Sequence, residues 1–258
     1  MPVHFTDDDR GRVVVVDGIR LRYAEEHLDH LRYHVLLNGE SIDELGSFLE
    51  LARSSSVLFD VGSANGLFSH LFCLLNERNR AVAFEPSPGL TASAARWARL
   101  NGTERQVVTR ECAVGRVPTQ AAARIDPTGL VSVNPPVAGG DEISVEVTTL
   151  DREIARLDIV PDVIKIDVEG YEWDVLCGAK ELLKEHKPSI CLELHLDLLE
   201  RRGVAPRTLV DELSGYGYTF RDCVGAALAP SRIYDSPNAL LRFVCVGPSS
   251  AGSLLGLQ

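Results

Sequence analysis

Apolar residues gather in short blocks along the chain, and glycine, proline and acidic residues separate them. Val13–Val16, the pair Asp17-Gly18 and then Ile19–Tyr23 predict a β-hairpin, because Asp-Gly supplies the positive φ angles of a type I′ turn. Glu25 to Arg53 is helical in composition. Val57–Phe59 reads as a buried strand that runs into Asp60, followed by a loop from Gly62 to Gly66 and an apolar helix from Leu67 to Asn76. Ala81–Phe84 is the next strand and ends at Glu85-Pro86; Leu90 to Leu100 is an Ala-rich helix stopped by Asn101-Gly102. Val107–Ala113 follows as a third strand.

Further on, Val145–Thr148 has β character and Val163–Ile166 is a buried strand leading into Asp167-Val168-Glu169-Gly170. Val175, Leu176, Ala179, Leu182 and Leu183 then fall on one helical face. Ser189 to Leu194 is a strand ending in Glu193-Leu194-His195, and a helix near Thr208–Tyr216 leads to strands around Tyr218–Cys223 and Leu240–Val246. The link between those last two shows no helical pattern, so they are expected to pair antiparallel. The segment Gly115 to Asp141 is rich in proline and glycine and is expected to be an irregular excursion, of a length that suits a lid.

The alternation β-α-β-α-β predicts an α/β fold with a mostly parallel sheet, right-handed crossovers and helices on both faces. Residues 1–50 are expected to be an N-terminal appendage, 51–248 the main domain and 249–258 a tail. The chain has 258 residues, of which 45% are hydrophobic, enough for a sizeable core and too many for a disordered chain. Its net charge of −11 argues against a general nucleic-acid binder, which needs Lys and Arg to neutralise phosphates. The six cysteines form no C-x-x-C pair, which suits buried thiols better than a zinc site. With neither a secretory h-region nor an apolar run of about 18 residues, the expected location is the cytoplasm, with no membrane partner.

Ligands of open parallel sheets bind beyond the carboxyl ends of the strands. Asp60, Glu85, Glu111, Asp167, Glu169, Glu193 and His195 all fall within a few residues of such an end. Gly62 and Gly66 let backbone approach a ligand closely. The loop lacks the middle glycine of the dinucleotide fingerprint, so a smaller nucleoside carrying a carboxylate fits better than a pyrophosphate. Glu85, one strand later, can accept two hydrogen bonds from ribose hydroxyls.

Asp60-Val61-Gly62, Asn65-Gly66, Ser69, Phe84-Glu85-Pro86 and Ala113-Val114-Gly115 together resemble S-adenosylmethionine (SAM)-dependent methyltransferases. Val147–Asp151, Ile164-Lys165-Ile166-Asp167-Val168-Glu169-Gly170-Tyr171-Glu172, Leu176 and Gly178-Ala179 resemble the FkbM family among them, as do Pro188, Glu193 and His195. The resemblance covers about residues 45–246, and the Lys-Ile-Asp-Val-Glu-Gly stretch is its most specific part. It implies a seven-stranded Rossmann-like sheet with an antiparallel last strand, SAM as cofactor and methyl transfer to oxygen of a small hydroxylated acceptor, a sugar or natural-product intermediate.

By the same resemblance Asp60, Gly62, Asn65, Gly66 and Ser69, with Ser63 in the same turn, would surround the methionine part of SAM. Glu85, beside Pro86, would hold the ribose; Glu111, Cys112 and Ala113 would lie near adenine; Asp167 would face the methyl-transfer centre. An alcohol must lose its proton on transfer, and His195 is the leading acceptor, with Asp167 and Glu169 as alternatives if burial raises their proton affinity. No metal is expected; Asp167, Glu193 and His195 are the set that would bind a divalent cation if one takes part. Lys165 shares a strand face with Asp167 and is expected to pair with an acid. His27, His30 and His34 share a helical face and are expected to form a polar wall rather than a ligand cluster. The acceptor pocket is expected to draw on residues 1–50, 115–141 and 224–239. An NAD-linked oxidoreductase and a SAM-binding module without catalysis are the alternatives, and a homodimer is left open.

Overall fold

The structure, a computed structural model, describes residues 1–9, 11–24, 39–126, 131–133 and 141–248. The histidine face at His27, His30 and His34 and the tail 249–258 lie outside these residues.

The chain opens with β1 (Val3–Asp8), β2 (Gly11–Val16) and β3 (Ile19–Arg22), an antiparallel sheet in that order. The expected turn forms: Asp17 and Gly18 have φ of 50° and 84°, and Val16 pairs with Ile19. Helix α1 (Gly39–Ala52) follows. Then come β4 (Val57–Val61), α2 (Leu67–Leu75), β5 (Arg80–Phe84), α3 (Pro88–Asn101) and β6 (Val107–Arg110). Ser87 accepts a hydrogen bond from the Leu90 amide, Pro88 opens α3, and Gly102 at φ 68° ends it, a capped helix at both ends.

Among its described residues, the segment expected to be irregular contributes strands to a second sheet. β7 (Ala113–Val114), β8 (Thr119–Ile125), β9 (Val131–Val133) and β10 (Asp141–Thr148) form four strands in the order β7-β10-β8-β9. The Gly and Pro content misled because it sits around the strands. The alanines of β8 have little strand propensity of their own, and pairing with β10 from Asp141↔Ile125 to Val147↔Thr119 supplies what propensity does not.

The chain continues through α4 (Leu150–Leu157), β11 (Val163–Ile166), α5 (Glu172–Cys177), α6 (Lys180–Glu185), β12 (Ser189–His195), α7 (Leu196–Arg201), α8 (Pro206–Gly215), β13 (Thr219–Asp222), α9 (Pro230–Tyr234) and β14 (Leu240–Val246). The short helix α9 occupies the link for which no helix was expected. The main sheet has seven strands in the order β13-β14-β12-β11-β4-β5-β6, parallel from β12 through β6, with β14 antiparallel to both of its neighbours.

Alternation along the strands divides the core. Phe59, Val61, Ile164, Ile166 and Leu192 point to one face, against Val175, Leu176, Leu182 and Leu209. Leu58, Val163 and Val244 point to the other, where Phe48, Phe72 and Trp97 join Val14, Val16 and Leu21 of the N-terminal sheet. The described parts of the N-terminal region, β2, β3 and α1, therefore share one hydrophobic cluster with β4, α2 and α3. Asn101 fastens the two parts, accepting from the Arg22 amide at 2.7 Å and donating to the Arg22 carbonyl at 2.8 Å.

Candidate active site

β4, β5 and β11 are neighbours, so their carboxyl ends open on one cavity of about 490 Å³. This volume lies within the range of about 300–1,000 Å³ usual for small-molecule sites. Asp60, Gly62, Ser63, Asn65, Glu85, Pro86, Cys112, Ala113, Asp167 and Glu169 of the expected set line it. Thr119, Ala121, Val131 and Val147 close one side, so the second sheet is a wall of the site. Of the three segments expected to build the acceptor pocket, only 115–141 reaches this cavity among the described residues.

The turn after β4 is held rigidly. Gly62 and Ser63 donate their amides to the Phe84 carbonyl at 3.0 and 3.1 Å. Gly62 has φ 77°, and a Cβ there would lie 1.7 Å from the Asp167 carbonyl oxygen, so only glycine lets the β4 and β11 exits touch. Asp60 accepts from the amide and hydroxyl of Ser69 at 3.1 and 2.6 Å, which ties the strand end to the first turn of α2. Burial pushes its carboxyl above the usual range, against the pull of Ser69 and Lys165. Ser69 and Gly66 therefore act behind the cavity wall: Ser69 positions Asp60, and Gly66 at φ 78° starts the helix.

Glu85 spans two turns. One oxygen accepts from the Ala64 amide at 3.0 Å and the other from the Ser87 amide at 2.9 Å. Burial pushes this carboxyl up to about 7 in spite of both bonds. Glu111 departs from expectation. It is exposed and does not line the cavity, because β6 ends at Arg110 and the chain folds back, the Cys112 amide bonding the Arg110 carbonyl. Cys112 and Ala113 take the place expected for it.

A charged cluster stands beside the cavity. Alternation places Lys165 and Asp167 on one face of the β11 exit, and Glu193 faces Arg242 across the antiparallel β12–β14 pair. Lys165 is fully buried, with Nζ 2.8 Å from Glu44 of α1, 3.7 Å from Glu193 and 3.9 Å from Asp167. Burial opposes its charge, but the three carboxylates outweigh it and hold the ammonium protonated. Arg242 grips Glu193 through Nε at 3.2 Å and Nη2 at 2.7 Å, and also contacts Glu44 at 3.3 Å. Burial works against the charge of Glu193, but Lys165 and then Arg242 outweigh it and hold this carboxyl below its ordinary range. Asp167 has no such clamp, and burial pushes it up to about 7.

His195 lies outside the cavity lining. Its Nδ1 is 2.8 Å from Glu172, and its Nε2 is 3.3 Å from Glu169 and 4.0 Å from Glu193. Burial disfavours its charge, but the bond to Glu172 and the charges of Glu169, Glu172 and Asp167 raise it to about 9. At neutral pH it is therefore an imidazolium. Its proton affinity is higher in the folded than in the unfolded chain, so its stabilisation is complete below about pH 6.5 and is lost as pH rises through about 9. The stability difference between wild type and His195→Gln should shrink over that window, by up to about 1.4 kcal/mol per pH unit. Urea unfolding at four pH values measures this, and a constant difference would refute the charged ring.

Ligand atoms of Asp167, Glu193 and His195, the set named for a cation, lie within 4.8 Å of one another. Glu193 is already engaged in ion pairs with Arg242 and Lys165. Glu44 and Arg242 were missed in the sequence, and Glu172 was named only within the family motif, with no role. The signals were a glutamate within the apolar face of α1, beside Ser41, Leu45 and Phe48, and an arginine inside the apolar run of β14.

A family model described as the methyltransferase FkbM domain matches residues 60–220, which span the cavity and the cluster. The chain belongs to the FkbM methyltransferase family. Membership removes the NAD-linked alternative. The hexuronic acid methyltransferase AglP of Haloferax volcanii is 26% identical over 212 residues, 78% of this chain and 79% of that protein. A solved FkbM methyltransferase from Methylobacillus flagellatus KT superposes with a TM-score of 0.47 at 18% identity, covering 74% of this chain and 43% of that one. The O-methyltransferase TomG of Streptomyces achromogenes, solved with SAM, gives a TM-score of 0.46 at 13% identity over 88% of this chain and 92% of that one. No helix among the described residues is long and apolar enough to cross a membrane.

Proposed function

We propose that this FkbM-family protein is a SAM-dependent O-methyltransferase acting on a hydroxyl of a small acceptor such as a sugar or natural-product intermediate. The observation that carries the reading is a nucleoside-sized cavity rimmed by strand-end acids, with polar atoms left over for a ligand. Ser63 Oγ and Asn65 Oδ1 are buried at that wall with no hydrogen-bond partner among the described residues. Buried polar atoms are rarely left unmet, so the pair fits a bound polar group. The close approach at Gly62 and the apolar wall of Leu90, Cys112 and Val114 fit the rest of a nucleoside.

When bound, SAM would supply an electrophilic methyl group on a positively charged sulfur. Asp60 and Asp167 place carboxyl oxygens at that end of the cavity, and Glu85 keeps lone pairs free for ribose hydroxyls beyond its two backbone bonds. Asp167 would take the proton that the acceptor hydroxyl gives up on methylation. A carboxyl poised near 7 at the cavity wall suits a general base at neutral pH better than His195, which is already charged and stands behind the wall. Asp167 and Glu169 can accept hydrogen bonds from a hydroxylated acceptor. The name of the Haloferax relative supports a sugar-type acceptor.

Calorimetry with S-adenosylhomocysteine (SAH) and SAM tests the cofactor. Absence of binding by folded protein at millimolar ligand refutes the reading. Glu85→Ala should weaken SAH binding by about 1–3 kcal/mol, since a buried acceptor is removed. An unchanged Kd would refute its role. Labelled SAM with a panel of neutral sugars and their uronic acids tests the acceptor. SAM binding with no turnover on any panel member favours the non-catalytic alternative.

A further inference from the structure

The cavity mouth carries a carboxylate whose placement is built by two residues that do not touch the cavity. Glu169 lines the cavity, is half-exposed there, and has φ 50°, a left-handed conformation uncommon for a glutamate. The neighbouring Gly170 has φ 90° and donates its amide to Glu172 Oε1 at 2.9 Å. The same oxygen is 2.8 Å from His195 Nδ1, and His195 Nε2 is 3.3 Å from Glu169 Oε2. One carboxylate oxygen thus fixes both the turn that carries Glu169 and the ring that its side chain meets.

Glu172 is fully buried, and its Oε2 has no hydrogen-bond partner among the described residues. A buried carboxylate with an unmet oxygen is costly to folding on its own account. An apolar residue would fill the place more cheaply. What the carboxylate adds is orientation: accepting from Nδ1 leaves Nε2 directed at Glu169, the logic by which a buried acid orients an imidazole in acyl-transfer triads.

We propose that Glu172 is a positioning residue of the transfer site, holding His195 so that its ring pins the Glu169 carboxylate at the cavity mouth, where Glu169 accepts a hydroxyl hydrogen bond from the acceptor. This rests on the methyl-transfer reading for the acceptor's identity, and on the geometry alone for the Glu172–His195–Glu169 chain. The charged groups that face or neighbour the ring are Glu169 and Glu172, Glu193 of β12 with its partner Arg242 of β14, Asp167 and Lys165 at the β11 exit, and Asp197 of α7 beyond Glu169.

The test is nitrogen-15 NMR of the histidine rings in the full chain, with His195→Gln to assign the signal. In wild type, the ring that forms on deprotonation at high pH should carry its remaining proton on Nδ1, facing Glu172. A ring with its proton on Nε2 would overturn the proposal without any variant being made. Glu172→Gln should make the His195 ring at least tenfold more acidic, and Glu169→Gln should make it more acidic by a smaller factor. An equal titration in wild type and Glu172→Gln would overturn it. SAH affinity should stay within twofold in both variants, and the KM for a methylated acceptor should rise in both. A KM unchanged in Glu169→Gln would overturn the acceptor contact. If wild type binds no SAH, the methyl-transfer reading fails while the ring measurement still decides the positioning chain.

Discussion

Gly62→Ala should destroy SAH binding and lower stability by about 2–5 kcal/mol, combining a left-handed backbone forced on alanine with an overpacked contact. The added methyl group would stand 1.7 Å from the Asp167 carbonyl oxygen and 3.2 Å from a Val168 methyl. Backbone is on the receiving side, so no side chain can rotate away. Relief requires the β4 and β11 exits to separate. Separation breaks the Asp167 amide bond to the Val61 carbonyl and shifts the two amides that bind Phe84. Gly46→Ala is the control: it has open space in α1 and should leave both properties unchanged or slightly improved. Urea unfolding and SAH calorimetry read both effects. A Gly62→Ala protein within 1 kcal/mol of wild type and still binding SAH would mean the two exits do not touch as described.

Lys165→Met should lower stability by about 3–5 kcal/mol, the usual effect of removing one partner from a buried ionic group. Methionine keeps the length of the side chain and its contact with Phe68, whose ring lies 5.1 Å from the ammonium, so the loss would be one of charge. Glu44, Asp167 and Glu193 would then face one another with only Arg242 and His195 to balance them. Part of the loss should be regained at lower pH, because protonating an acid removes the repulsion. The double variant Glu44→Leu, Lys165→Met should recover much of it, since a buried pair replaced by apolar residues is often neutral. Stability unaffected by the single change, or a double variant worse than the single, would refute the cluster as the tie between α1 and the sheet.

Those two positions differ in how far the sequence reveals them. Gly62 is legible as a glycine at a strand exit, and its need for positive φ follows from the turn. That the obstacle is the Asp167 backbone, more than a hundred residues away in the chain, is not legible, because it depends on β4 and β11 lying side by side. Lys165 and Asp167 are legible as two residues on one strand face. Glu44 as the third partner is not, because nothing local says that α1 packs over that face. Glu111 shows the converse failure. Its position after an apolar strand suggested a cavity acid, but β6 stops one residue earlier and the side chain points to solvent.

Local sequence determined the strands and helices of the main sheet, the hairpin at Asp17-Gly18, the glycine turn and the acids Asp60, Glu85 and Asp167 at strand exits. These follow from periodicity of apolar positions and from backbone limits that act within a few residues. Only the tertiary structure decided that the alanine- and proline-bearing segment folds as a wall of the cavity, and that Glu44 and Arg242 balance the cluster. It also decided which carboxyl groups are pushed above their ordinary range. A carboxyl's proton affinity is set by burial and by charges brought within about 4–6 Å from other elements. Those distances come into being only when the chain has folded.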